Sequence, residues 1–327
     1  MQIKDGTFLI TGGVSLIGSH ITEQLLAAGA GEIILFDNYS LGSPDTIPDL
    51  LSEPRVRLVR GDILRLNELY DALEGVEGVF AAAAFLTLPL SQNPVLGLSV
   101  NVQGQLNVCE ACRYRGVGKV IFSSSVATYG EPEPVLITEE TPYSWNGVQP
   151  AGVLYGTSKI IGENLGRLYH DRHGLNSISL RYTSVYGERQ HYRAVNALYI
   201  IETYDRLLAG ERPIIPEDGS EVHDYIHVAD VARANLMAME SDVSRESFNV
   251  ATGKSTSLNR LVEIVTEIVG SDLKPEYRNV EGQVRAASTD VLDVSIEKIV
   301  RMLGWQPEVS IEAGIERVIR WRETQGA

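Results

Sequence analysis

The sequence predicts an α/β fold, a doubly wound parallel sheet with helices on both faces, followed by a smaller mixed α/β lobe. Three observations carry this expectation. Short apolar runs alternate with helix-length stretches up to about residue 180, an order that places crossover helices between parallel strands. The first run leads directly into a glycine-rich turn and a helix, Thr11-Gly12-Gly13-Val14-Ser15-Leu16-Ile17-Gly18. After Arg181 the texture changes to helices separated by shorter strands, and 327 residues allow one large domain and a smaller one.

Strands are expected at 8–10, 33–36, 56–59, 78–81, 119–123 and 177–180, each a short apolar run compatible with a buried strand. Apolar residues recur at helical spacing up to residues 25–26 and at about 66–73, 95–114 and 155–173. Beyond them, helices are expected at about 194–209, 258–269, 296–303 and 311–322, with short strands at 214–215 and 248–250. The expected division is a dinucleotide-binding domain over 1–182 and a substrate lobe over 183–327, with a segment near 222–251 returning to the first. Ligands of open parallel sheets lie beyond the carboxyl ends of the strands, so a cleft is expected there.

A formal net charge of -15 argues against nucleic acid or an anionic membrane as partner, since both reward clustered Lys and Arg. The longest apolar run, 79–90, is too short to span a bilayer and contains Pro89. The chain begins without a signal-peptide pattern, so a cytoplasmic location is expected. Cys109 and Cys112 form one C-x-x-C within a helical pattern, with no second pair. Helix packing is the expectation for them, and no metal is expected.

The glycine turn has the setting of a nucleotide site, because the first amides of a helix face bound phosphate. Gly12 and Gly18 permit the tight turn and close helix–strand contact, while Ser15 replaces the middle glycine of the G-x-G-x-x-G pattern. Asp37 ends the second strand nineteen residues after Gly18, near the spacing of a carboxylate that takes ribose hydroxyls. It would repel a 2′-phosphate, and 38–42 hold no Arg or Lys to bind one, so NAD is expected over NADP.

Tyr155 and Lys159 lie four apart, hence on one helix face. A free phenol, with a pKa of about 10, is a weak base at neutral pH, but a nearby cation favours its phenolate. Ser125 supplies a hydroxyl that can hold the oxygen whose proton moves.

With these residues in this order, the chain resembles the extended short-chain dehydrogenase/reductases of the nucleotide-sugar epimerase and dehydratase family, most like its UDP-glucose 4-epimerase branch. Matching segments include Gly61-Asp62-Ile63, Asn101-Val102-Gln103-Gly104, Ser123-Ser124-Ser125 with Tyr129-Gly130, and Tyr155 through Lys159. Others are Leu180-Arg181-Tyr182 with Val185-Tyr186-Gly187, Asp224-Tyr225-Ile226-His227, and Leu303-Gly304-Trp305-Gln306-Pro307.

The resemblance implies a Rossmann-type fold, NAD as cofactor, Tyr155 as base, Lys159 on the nicotinamide ribose lowering the tyrosine pKa, and Ser125 on the sugar hydroxyl. It places Gly12, Ser15, Leu16, Ile17, Gly18, Asp37, Asn38, Asp62, Ile63, Ala83, Asn101, Ser123, Tyr155, Lys159 and Tyr182 around the cofactor. Ser184, Arg189, Arg193, His223 and Arg285 would face the substrate. Helices 95–114 and 155–173 would pair across a two-fold axis into a four-helix bundle, making a homodimer.

Related dehydratases carry acidic acid–base residues just after the catalytic hydroxyl, where this chain has Val126-Ala127. That favours epimerisation at C4 of a UDP-sugar through a 4-keto intermediate, which needs only Ser, Tyr and Lys. Three departures fall near the site: Ala81 replaces a histidine, Ser184 an asparagine and His223 an arginine. The alternatives are an NAD-dependent dehydrogenase or reductase of the same fold on another hydroxy or keto substrate, and an NAD-binding regulatory protein without turnover.

Overall fold

The computed structural model describes residues 1–132, 136–190, 195–278 and 293–325. The first half runs β1 (Thr7–Thr11), α1 (Leu16–Ala27), β2 (Glu32–Asp37), α2 (Pro48–Leu51), β3 (Val56–Arg60), α3 (Leu66–Ala72) and β4 (Gly78–Ala81). It continues through α4 (Thr87–Gln92), α5 (Pro94–Leu98), α6 (Gln105–Arg115), β5 (Lys119–Ser125), α7 (Pro150–His173) and β6 (Asn176–Tyr182). Then come β7 (Ser184–Tyr186), α8 (Val195–Leu208), β8 (Ile214–Pro216), β9 (Val222–His227), α9 (Val228–Glu240) and β10 (Glu246–Val250). The chain closes with β11 (Ser255–Ser257), α10 (Leu258–Val269), β12 (Glu276–Arg278), α11 (Glu297–Leu303) and α12 (Ile311–Thr324).

Seven strands form one sheet in the order β10-β6-β5-β4-β1-β2-β3, every pair parallel. Strand residues alternate faces, and both faces are apolar. Phe8, Ile10, Ile33, Leu35, Phe80, Ile121 and Ile178 join the core that contains residues of α1 and α9. Leu9, Ile34, Phe36, Val79, Val120 and Phe122 join the core beneath α3, α6 and α7. The near-continuous apolar runs in the sequence reflect this double coverage.

After β3 the chain returns to the opposite side of β1 to lay down β4. Winding therefore reverses between β1 and β4, the switch point that opens a crevice beyond the strand ends. The 222–251 segment contributes to both sheets. Its β9 lies between β11 and β7 in a three-stranded mixed sheet, whereas α9 packs on α1 and β10 pairs with β6.

The remaining C-terminal elements surround a separate apolar core in which Ile200 and Tyr204 of α8 meet Leu261 and Val265 of α10 and Ile315 and Val318 of α12. Strands β8 and β12 form a two-stranded parallel ribbon beside it. Among the described residues, no helix is long and apolar enough to cross a membrane. Cys109 and Cys112 are fully buried in α6, as packing residues.

Two helices differ from their sequence outline. The 95–114 stretch is α5 and α6 joined by a π-helical segment, Ser99–Gly104, where a widened turn reorients side chains. Helix α7 starts at Pro150, five residues before the expected 155, because proline fits a first helical position whose N–H has no ladder partner.

Candidate active site

The glycine turn between β1 and α1 is built by close approach. Gly12 has φ +70°, and a Cβ there would lie 3.0 Å from Cα of Ala83, just beyond β4. A Cβ on Gly18 would collide with the Gly12 carbonyl oxygen. Glycine at these positions brings β1, β4 and the start of α1 together. Ser15 is the N-cap of α1, its Oγ accepting from Gly18 N at 3.2 Å. The hydroxyl that replaces the expected middle glycine is thus engaged in capping, while Leu16 and Ile17 begin the helix with amides outside its ladder.

Asp37 ends β2 with its carboxylate nine-tenths buried. Its Oδ2 accepts from Val14 N at 3.2 Å and its Oδ1 from Tyr39 N at 2.8 Å. Burial pushes this carboxyl up, with the backbone N–H bonds opposing. Gly12, Ser15, Asp37, Asn38, Asp62, Ile63 and Ala83 line one cleft. Asp62 Oδ1 accepts from Leu64 N at 2.9 Å, and the Ile63 carbonyl accepts from Asn107 Nδ2 at 2.9 Å, fixing that wall. Helix-start amides outside the ladder, a carboxylate at the β2 end and a turn narrowed by Gly12 and Gly13 fit a dinucleotide.

Ser125, Tyr155 and Lys159 converge because α7 lies very close to β5. A Cβ on Gly156 would run into the Ala127 carbonyl, and one on Gly162 into the Phe122 ring. The Ser125 hydroxyl, which accepts from Ala127 N at 3.1 Å, lies near enough to the Tyr155 hydroxyl to favour its phenolate. Lys159 Nζ donates to the Ser123 carbonyl at 2.8 Å and stands 5.6 Å from the Tyr155 ring centroid. Both side chains are buried.

The electrostatics run against the sequence expectation that Lys159 lowers the tyrosine pKa. Burial pushes Tyr155 up to about 12, with the Ser125 hydroxyl pulling the other way. Burial also brings Lys159 down to about 8, opposed by the Glu163 carboxylate. Loss of hydration penalises phenolate and ammonium alike.

Other expected residues serve the site's framework. Asn101, in the π-helical segment, accepts from Phe85 N at 2.7 Å and donates to Phe85 O at 2.9 Å and Ser158 Oγ at 3.1 Å. It therefore ties the loop after β4 to α7. Ser123 Oγ meets the Tyr182 hydroxyl at 3.3 Å, and Asn235 Nδ2 donates to that hydroxyl at 2.9 Å. Tyr182 thus packs in the core on the α1 and α9 side, the opposite face from Tyr155.

On the substrate side, Ser184 opens β7 opposite Tyr225, and His223 is 2.6 Å from Glu221 with its ring against Tyr225. Arg189 has φ +65° and pairs with Glu23 of α1 at 3.3 Å. Arg193 and Arg285 lie outside the described residues.

Sequence reasoning missed two networks, one of them fully buried. Glu163 binds Arg181 through both oxygens, at 2.8 and 2.7 Å, and accepts from Ser124 Oγ at 2.6 Å. Its position four residues after Lys159 was the available signal. Glu188, after β7, lies 3.6 Å from His20 Nε2, 3.2 Å from His227 Nε2 and 2.7 Å from Arg317 Nε, a cluster assembled from distant segments.

The sequence model of the NAD dependent epimerase/dehydratase family matches residues 8–251. A UDP-glucose 4-epimerase of Corynebacterium glutamicum is 32% identical, over 92% of this chain and 90% of that one. The structure of UDP-glucose 4-epimerase from Thermotoga maritima with UDP-glucose superposes with a TM-score of 0.85 at 31% identity, covering 98% of this chain and 99% of that one. A UDP-N-acetylglucosamine 4-epimerase from Methanobrevibacter ruminantium, in complex with UDP-N-acetylmuramic acid, gives 0.87 at 28% identity, with 98% and 99% covered. The glycine turn, its acidic partner and the Ser–Tyr–Lys cluster all fall inside the matched span, and the chain belongs to the NAD dependent epimerase/dehydratase family, with NAD as its cofactor.

Proposed function

We propose that this chain is a nucleotide-sugar 4-epimerase, with a UDP-sugar as substrate and a 4-keto sugar as intermediate. The observation that carries the reading is the convergence of Ser125, Tyr155 and Lys159 at the carboxyl end of β5, with only Val126-Ala127 following the serine. When bound, NAD supplies hydride acceptance and return at a carbinol carbon. Tyr155 takes the proton of the C4 hydroxyl and later gives it back, while Ser125 holds that oxygen. Lys159 provides the positive charge that a buried phenolate needs, and its ammonium is anchored by the Ser123 carbonyl. The two residues that follow Ser125, Val126 and Ala127, carry no acid or base to drive elimination.

The UDP-sugar assignment is supported by the relatives named for UDP-glucose and by the Thermotoga maritima structure holding UDP-glucose. Ser184, Arg189 and His223, with Arg193 and Arg285, are the proposed substrate residues. The adenosine, pyrophosphate and nicotinamide contacts are proposed as read from the sequence, with Asn101 and Tyr182 acting through the framework.

A homodimer is part of the proposal. Val95, Leu154, Ile161 and Leu168 are exposed apolar residues on α5 and α7, and Leu98, Val102, Leu154 and Ile161 line a shared groove. A cytoplasmic location fits a nucleotide-sugar substrate.

The test is to denature the purified protein, identify any released cofactor by mass, and follow UDP-, GDP- and dTDP-sugars by NMR. Inversion at C4 without net NADH is expected. Steady accumulation of NADH with substrate would replace the epimerase by a dehydrogenase.

A further inference from the structure

Behind the reacting groups lies a buried ion pair that the proposed chemistry does not use directly. Glu163 is 1% and Arg181 2% exposed, and their contact is bidentate. Ions so deeply buried carry a large desolvation cost, and hydrophobic replacements of such pairs are often neutral or stabilising. Its location points to a role beyond stability.

Three consecutive serines of β5 connect the pair to the reaction centre. The Ser123 carbonyl accepts from Lys159 Nζ at 2.8 Å. The Ser124 hydroxyl donates to Glu163 Oε1 at 2.6 Å, and the neighbouring Ser125 hydroxyl lies near the Tyr155 hydroxyl. Along α7, Tyr155, Lys159 and Glu163 are spaced by four, so base, cation and carboxylate follow one another on one face.

We propose that Glu163, locked to Arg181, is a positioning residue for the reacting pair: it presents the carboxylate that keeps Lys159 charged and, through Ser124, fixes the strand end that carries Ser125. The inference rests on the reading of Tyr155 and Lys159 as the reacting pair. Around Lys159 stand the Tyr155 ring of the same helix, 5.6 Å away at its centroid, and, from β5, the Ser123 carbonyl at 2.8 Å and the Phe122 ring at 5.2 Å; Glu163, one turn further along α7, acts on its charge beyond ion-pair contact. Those facing Glu163 are Arg167 of α7 at 3.7 Å, Arg181 of β6, Ser124 of β5 and Ser247 of β10 at 3.0 Å. Arg181 is held from its other side by the Tyr129 hydroxyl at 2.7 Å, so the Glu163–Arg181 pair is fixed from both ends. The opposing effects of burial and Glu163 on Lys159 agree with this geometry.

The experiment reads Lys159 itself. The protein has six lysines, so labelling their Cε carbons with 13C and titrating the purified holoprotein by NMR follows Lys159, assigned by its loss in Lys159→Arg. In the double variant Glu163→Gln with Arg181→Gln, which leaves no guanidinium buried without its anion, the Lys159 midpoint falls by about one unit. In Glu163→Asp, which keeps the charge, it recovers most of that fall. An unchanged midpoint in the folded double variant overturns the electrostatic role.

Ser124→Ala leaves both charges in place and removes one hydrogen bond. It lowers kcat about tenfold with KM within about twofold, as expected for lost alignment in the transition state. Unchanged kcat overturns the positioning role, including where the double variant does not fold. A shifted Lys159 midpoint in a protein without epimerase activity on any sugar would support the inference while sinking the functional reading.

Discussion

Tyr155 sits in an environment that works against its ionisation, and the reaction must supply what burial removes. Without a strong local cation its phenol stays protonated near pH 7, being pushed up to about 12. Tyr155→Phe keeps the ring and deletes the proton carrier. Turnover is expected to fall by about 10³-fold, with released NAD per protein unchanged; normal activity in that variant refutes the mechanism. The pH dependence follows from Lys159, brought down to about 8. Its ammonium is present below that value and lost above it, so kcat/KM is expected to decline from about pH 8 upward and to hold on the acid side until other groups titrate. A profile flat to pH 10 would remove Lys159 from the mechanism.

At the level of elements, positioning depends on contacts between neighbouring backbones. Gly12 has a left-handed φ and faces Ala83 closely, so Gly12→Ala is expected to weaken NAD retention at least tenfold through strain and crowding of the turn. Isothermal titration with NAD measures it, and parent-like affinity would show that the turn has room to relax. The segments around Glu188 form a second structural unit. Burial alone would raise that carboxyl, but His20 and His227 overcome it and hold the group well below the usual carboxylate range.

A depressed folded-state pKa stabilises the fold above the unfolded carboxylate value of about 4.3 and loses that contribution as pH falls toward the folded value. Glu188→Gln is therefore expected to cost about 1–3 kcal/mol at pH 7, where it leaves Arg317 and the imidazoles without their anion. Thermal melts should show the gap closing as pH is lowered below about 4. An equal loss at both pH values would assign the effect to packing.

For the whole molecule, the proposed dimer would bury the exposed apolar residues of α5 and α7. Light scattering is expected to give twice the mass of the 35.9 kDa chain. Ile161→Asp with Leu154→Asp, placing charge in that groove, is expected to shift the mass to the monomer, since unpaired buried charge opposes association. A parent protein already monomeric would remove the dimer from the proposal.

Much of the architecture was legible because its determinants are local. Apolar runs bounded by turns marked the strands, and the glycine turn with Asp37 marked the cofactor side. The spacing of Tyr155 and Lys159 marked one helix face. Less was legible where geometry is set between distant segments. Ser15 became an N-cap, Asn101 a tie between Phe85 and Ser158, and Tyr182 a residue of the opposite face. Each is a choice among partners that the chain alone does not rank.

Period and spacing in the sequence determined the doubly wound sheet, its glycine turn and the helix face that carries Tyr155 and Lys159, because these depend on residues near one another along the chain. Tertiary structure alone decided the electrostatic state of that face. Burial moved Tyr155 and Lys159 against ionisation, and the fold brought Glu163, Arg181 and Ser124 together behind them. Desolvation and charge pairing depend on what surrounds a group in three dimensions, and only the packed chain defines that.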